Sequence, residues 1–121
     1  DVMSTLAELT AQPCPETDGR SMLPCLSGEK VNDIDRSLYW EFGEGITRQA
    51  ILKGNWKLIR FFPRAQKNKK RPAPYMELYN VKADPSEEDD VAGRYPERVS
   101  QLLQEMRGMM DENSLIRDPE A

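Results

Sequence analysis

Leu38-Tyr39-Trp40-Glu41-Phe42, Thr47 to Lys53, and Trp56-Lys57-Leu58-Ile59-Arg60-Phe61-Phe62 decide the fold. From Ser37 onward side-chain character alternates with a period of two, the signature of a strand with one buried face. The expectation is that Leu38, Trp40 and Phe42 face the core and that Tyr39 and Glu41 face away. Thr47 to Lys53 reads as a second strand. Gly54-Asn55 then closes a tight hairpin, because glycine at the first central position suits a primed turn. In the third strand Trp56, Leu58 and Phe62 alternate with Lys57, Ile59 and Phe61. Arg60 interrupts that pattern and is expected at the sheet margin. Tyr75 to Val81 resumes as a fourth strand, so the sheet should be antiparallel throughout.

The period changes again at Pro96. Val99, Leu102, Leu103, Met106 and Met110 make one apolar stripe, predicting a long helix from Pro96 to about Glu112 with Asn113 as its C-cap. A helix laid on one face of the sheet gives a two-layer α+β fold. Its methionines, Met106, Met109 and Met110, read as helix packing. Before the sheet, Val2, Leu6 and Leu9 mark a short helix, too short to be stable without docking. Pro13 and Pro15 end it and open a proline-rich linker, with a turn at Asp18-Gly19-Arg20-Ser21 and a brief apolar segment at Met22 to Leu26. Asp84-Pro85-Ser86-Glu87 reads as a capped helical turn, with Asp as cap, Pro at its first position and Glu at its third. The domain expectation is therefore a linker region over 1–30 and an α+β subdomain over 37–121, with loose final residues.

Composition narrows the function. A chain of 121 residues supports one modest core, and its net charge is −4. That acidity argues against a dedicated nucleic-acid binder. No apolar run approaches the length needed to cross a bilayer. Asp1 reads as an internal starting point, so the lack of a signal peptide carries no weight. There is no histidine and there are two cysteines, Cys14 and Cys25. They form no Cys-x-x-Cys pair, which makes a zinc site improbable. They are expected as partly buried thiols or, alternatively, as a disulfide.

Taken in order, Leu38 to Phe42, Gln49-Ala50-Ile51-Leu52-Lys53-Gly54-Asn55-Trp56-Lys57-Leu58-Ile59, Glu77-Leu78-Tyr79-Asn80-Val81 and Asp84-Pro85-Ser86-Glu87 resemble the C-terminal subdomain of the sulfatases. These are arylsulfatase-like hydrolases of sulfate esters. Asp1 to Glu29 is similar to the junction where that family's catalytic domain ends. The resemblance implies a parent that uses a formylglycine nucleophile and a calcium ion, and that is exported to the periplasm, exterior or lysosome. It assigns no cofactor to this chain. Formylglycine arises from Cys-x-Pro-x-Arg or Ser-x-Pro-x-Arg, and neither stretch occurs here. The isolated chain is therefore expected to be inactive, with no catalytic and no metal-ligating residue.

In several relatives the loop after the Trp-Glu-Phe strand approaches the active-site mouth and carries a histidine directly after the Phe. Here that position is Gly43. The candidate substrate contacts nearby are Glu44, Arg48 and Gln49. Arg48 could pair with a sulfate oxygen through its planar fork, or be a solvated strand-edge arginine. The segment Pro63 to Pro74 carries five basic residues, Arg64, Lys67, Lys69, Lys70 and Arg71. It could attract a sulfated glycan or serve only as a soluble connection, and its basic core, Arg64 to Arg71, has no aromatic to stack on bases. Trp40, Trp56, Phe42 and Phe62 could form a sugar platform, but their alternation predicts core. The run Glu87 to Asp90 lacks the spacing of a calcium loop and reads as helix-start charge.

The reading that follows is the C-terminal fragment of a carbohydrate-type sulfatase, structural or cleft-completing, whose partner is the missing N-terminal catalytic domain. Truncation would leave an apolar patch where residues 2 to 26 should dock, with an artefactual dimer as one consequence. The alternatives are a stand-alone anionic-glycan- or protein-binding module and a degenerate regulatory paralogue.

Overall fold

The computed structural model describes residues 1–31, 36–43, 46–64, 67, 70–110 and 114. The chain forms two compact units, Asp1–Asp33 and Ile34–Ala121.

The first unit holds α1 (Val2–Leu9) and α2 (Leu23–Leu26). Hydroxyl and carboxylate groups of α1 tie down the irregular chain that follows. The Arg20 amide donates to Asp1 Oδ1 at 2.8 Å and the Met22 amide to Thr5 Oγ1 at 2.9 Å. Ser4 Oγ donates to the Gly19 carbonyl at 3.1 Å. A Cβ at Gly19 would lie 2.5 Å from the Asp1 nitrogen, so only glycine permits this return. The expected stripe of Val2, Leu6 and Leu9 is exposed, and Ala7 is the buried residue of α1. Both cysteines are exposed free thiols, which corrects the expectation of burial. Four- and eight-residue helices cannot bury both faces of a linker this short.

The second unit is a four-stranded antiparallel sheet in the order β1 (Ser37–Phe42), β2 (Thr47–Lys53), β3 (Trp56–Phe62), β4 (Tyr75–Asn80), followed by α3 (Pro96–Gly108). This is the expected α+β architecture. Lys53 pairs with Trp56 across the two-residue turn, and Gly54 has φ +57° as a primed hairpin requires. Tyr39, Ile51, Leu58 and Leu78 form one cross-sheet row. α3 packs on β2 and β3, and its Leu102 and Met106 join Ile51, Leu58, Leu78 and Val91 in the core. Pro96 occupies the first turn, where its missing N–H costs nothing.

Four expectations need correction. Leu38, Trp40 and Phe42 are exposed, at 42%, 42% and 46%, while Ser37, Tyr39 and Glu41 lie half-buried on the side that α3 covers. A period of two says which residues share a face, but only the helix decides which face is covered. Trp56 and Phe62 do belong to the covered face. Arg60 is buried at 6% exposure, not marginal, with its guanidinium 4.8 Å from the Phe62 ring centre. Residues 84–88 form turns rather than a helical turn: Asp84 Oδ2 accepts the Glu88 and Asp89 amides at 2.9 Å each, and Glu87 takes φ +55°. Finally, α3 ends at Gly108, and the proposed cap Asn113 lies outside the described residues.

Candidate functional site

The face opposite α3 carries three cross-sheet rows. Leu38, Leu52, Lys57 and Tyr79 form one, Trp40, Ala50, Ile59 and Glu77 the next, and Phe42, Arg48, Phe61 and Tyr75 the last. The last row ends at the β1–β2 connection. A shallow groove of about 290 Å³ lies on this face, lined by Trp40, Phe42, Arg48, Gln49, Ala50, Lys57 and Ile59. The Arg48 guanidinium lies 5.2 Å from the Phe42 ring centre and Lys57 Nζ 5.8 Å from that of Trp40. Phe61 and Tyr75 stack with centroids 4.7 Å apart. Charges on the face are largely committed locally. Lys57 Nζ donates to both Glu87 oxygens at 2.7 and 2.9 Å, and Tyr79 Oη donates to Glu77 Oε2 at 2.8 Å. Burial, then that bond to a carboxylate, pushes the Tyr79 phenol well above its usual range.

Of the three sequence-predicted contacts, Arg48 and Gln49 both border the groove, but they are adjacent strand residues whose side chains point to opposite faces. Arg48 stands exposed in the groove, and among the described residues it meets the Phe42 ring and no carboxylate. Gln49, its neighbour, points to the helix-covered face and is 1% exposed. Its Nε2 donates to Tyr39 Oη at 3.1 Å, Glu41 Oε1 at 3.3 Å and Met110 Sδ at 3.4 Å, while its buried Oε1 has no hydrogen-bond partner among the described residues. Tyr39 Oη donates to Glu41, and burial followed by this bond raises the phenol's pKa far above normal. Glu44 lies outside the described residues. The basic segment is anchored beside the same hairpin end, since Arg64 Nη2 donates to the Gly43 carbonyl at 3.3 Å and Arg71 Nε to the Pro63 carbonyl at 3.0 Å.

Sequence reasoning missed Trp40, Phe42, Lys57 and Ile59 as groove residues. A signal was present in β3, which carries apolar residues at both parities, Trp56, Leu58 and Phe62 on one face and Ile59 and Phe61 on the other. Among the described residues, no group of three or more Cys, Asp or Glu converges to hold a cation. These residues therefore do not fit a calcium site. No described helix is long and apolar enough to cross a membrane.

No protein-family model matches the chain. It is, however, 29% identical over 113 residues to the N-acetylgalactosamine-6-O-sulfatase of Bacteroides thetaiotaomicron, a match covering 84% of this chain and 21% of that protein. The chain is homologous to sulfatases. It also superposes on a solved structure from the metabolism of multiple glycosaminoglycans by Bacteroides thetaiotaomicron, with TM-score 0.62 and 27% identity over 89% of this chain and 24% of the other. The phosphonate monoester hydrolase of Agrobacterium radiobacter shares the fold, with TM-score 0.57 and 18% identity, covering 89% of this chain and 24% of that one. This sulfatase homologue thus spans between a fifth and a quarter of its relatives' length. Its four-stranded sheet and C-terminal helix match the sulfatase C-terminal subdomain.

Proposed function

We propose that this chain is part of a sulfuric ester hydrolase, with residues 1–30 forming the tail of its catalytic domain and 37–121 its C-terminal subdomain. The observation that carries the reading is the 29% identity to a sulfatase, sustained over 84% of the chain. In this reading the sheet and α3 complete the fold of the parent. The nucleophile and the metal belong to the missing catalytic domain, since neither maturation stretch nor any histidine occurs here. Formylglycine and calcium there supply an activated nucleophile and charge stabilisation at the sulfate. The substrate is a sulfated carbohydrate, supported by the names of the relatives. Arg48, exposed next to the β1–β2 connection, can offer two parallel N–H donors to an anionic oxygen at the cleft rim. Glu44 borders the same connection, while Gln49 acts from beneath it by holding Tyr39 and Glu41.

The test is the reading frame upstream of the Asp1 codon, followed by assay of its full product. A frame containing Cys-x-Pro-x-Arg or Ser-x-Pro-x-Arg, whose product releases sulfate from a 6-sulfated N-acetylgalactosamine oligosaccharide, is expected. A start codon next to Asp1 would overturn this reading in favour of a stand-alone binding module. A full product that cleaves phosphonate monoesters and no sulfate ester would overturn the substrate class.

A further inference from the structure

We infer that the hollow where the β2–β3 hairpin meets the start of α3 is a second glycan site, which takes an oxyanion (a sulfate ester or a carboxylate) borne by a sugar unit remote from the β1–β2 connection. Its ligand class rests on the reading above, while its residues are none of those that reading uses. Two adjoining hollows, of about 540 and 360 Å³, share Arg98 and Gln101 and so make one trough along the first turns of α3. The hairpin, Lys53 to Trp56, forms its other bank. The cations around it are not equivalent. Lys53 is paired with Glu105, and Arg94 with Asp89. Arg98 is exposed, and among the described residues its guanidinium has no ion-pair or hydrogen-bond partner. It lies 4.6 Å from the centre of the Trp56 ring, which Tyr95 meets edge-on with centroids 5.2 Å apart. Stacking on an aromatic ring fixes the plane of the guanidinium and leaves its N–H edge open, a fork that matches two oxygens of a sulfate or carboxylate. The charge balance limits the ligand: three cations, Lys53, Arg94 and Arg98, line the trough with two carboxylates, Glu97 and Glu105. One isolated anionic group fits there, and a dense run of them does not. The side-chain amides of Asn55 on the hairpin and Gln101 on α3 make no hydrogen bond among the described residues, and each can donate to and accept from sugar hydroxyls. An apolar partner would strip water from Arg98, Asn55 and Gln101 without replacing those bonds. Lys53 and Arg48 stand roughly 17 Å apart along β2 at about 3.4 Å per residue. They also point to opposite faces of the sheet, so a short oligosaccharide cannot occupy both places. The trough therefore anchors a polymeric glycan and raises the effective concentration of its other units at the cleft.

Titration of the 121-residue chain, followed by NMR of its amide and indole N–H groups, tests this. The probe is a hexasaccharide of alternating uronic acid and 6-sulfated N-acetylgalactosamine, compared with the same hexasaccharide stripped of sulfate. The Trp56 indole and the side-chain amides of Asn55 and Gln101 should shift saturably, while the Trp40 indole stays in place. Arg98→Gln should weaken binding at least tenfold, and Arg48→Gln should leave it unchanged. Both sources of the oxyanion support the site: equal binding of the desulfated probe assigns the carboxylate, and its loss assigns the sulfate. Shifts confined to the Trp40 indole, no saturable shift at Trp56, or equal binding by the Arg98→Gln chain overturns the inference. In the full reading-frame product, Arg98→Gln should raise KM severalfold for a polymeric substrate and leave it unchanged for a sulfated disaccharide. A product that releases sulfate with a polymer KM indifferent to Arg98→Gln overturns the inference and keeps the sulfatase reading. Hexasaccharide binding at Trp56, with a full product inactive on every sulfate ester, keeps the site and overturns that reading instead.

Discussion

Lys53 Nζ stands 2.8 and 2.9 Å from the two carboxylate oxygens of Glu105, so the end of β2 is clamped to the last turn of α3. Ser37 of β1 donates to the same carboxylate. The Lys53 bond, then the Ser37 bond, hold the Glu105 pKa below its usual value of 4.5. A lowered carboxyl pKa stabilises the fold above the unfolded value, and that contribution is lost as pH falls through the folded one. Stability should therefore decline below about pH 4.5. Glu105→Gln should cost about 0.5–1 kcal/mol at neutral pH, since both side chains are partly exposed and screened. Urea unfolding at several pH values, with and without added salt, reads both effects.

The two sheet faces should respond differently to truncation. Leu58 is fully buried, and Leu58→Ala should cost about 3 kcal/mol through lost transfer energy and a residual cavity. Trp40→Ala removes a larger side chain from the open face, yet in the 121-residue chain it should cost less than about 1 kcal/mol. Urea midpoints of the two variants check the contrast, and comparable losses would mean that the open face is already packed.

Alkaline behaviour should follow Tyr39 and Tyr79. Both phenols are held protonated above the ordinary value of 10.0, first by burial and then by Glu41 and Glu77 respectively. A raised folded pKa gives stability that is complete below pH 10 and is lost as pH rises beyond it. Ultraviolet titration should show two late-ionising phenols, and Tyr39→Phe and Tyr79→Phe should each remove one. Ionisation of either phenol at its usual pH in the folded chain would contradict this.

Gly54→Ala tests the hairpin. The position has φ +57°, which costs an L-residue roughly 1–2 kcal/mol. The variant should lose about that much stability with no change in sheet content by circular dichroism.

Arg48→Gln in the full-length protein should raise KM severalfold with a smaller effect on kcat and little on stability, because the side chain is exposed and, among the described residues, rests on the Phe42 ring. An unchanged KM would remove Arg48 from the substrate site.

Much of this fold was legible in the chain. The alternation in β1 to β4, the Gly54-Asn55 turn and the helical stripe through Val99, Leu102, Leu103 and Met106 are local patterns that the backbone follows, although α3 stops at Gly108, short of Met110. The candidate site was less legible. Arg48 and Gln49 are adjacent in sequence and share a loop's neighbourhood, but successive strand residues point to opposite faces. Arg60 looked marginal because a charge was weighed by its type, whereas its guanidinium rests against Phe62 inside the sheet layer.

The sequence by itself determined the strands, the turns and the grouping of residues by face, because these depend on spacing and local backbone preference. It also determined the absence of a sulfatase maturation stretch, which is a matter of residue order alone. Only tertiary structure decided that α3 covers the row of Tyr39, Ile51, Leu58 and Leu78 and leaves Leu38, Trp40 and Phe42 open. In β1 the more apolar parity, Leu38, Trp40 and Phe42, is the one left open, and β3 carries apolar residues at both parities, so local patterning does not choose the covered face. The choice is made when Leu102 and Met106 pack onto β2 and β3, an interaction between elements far apart in the chain.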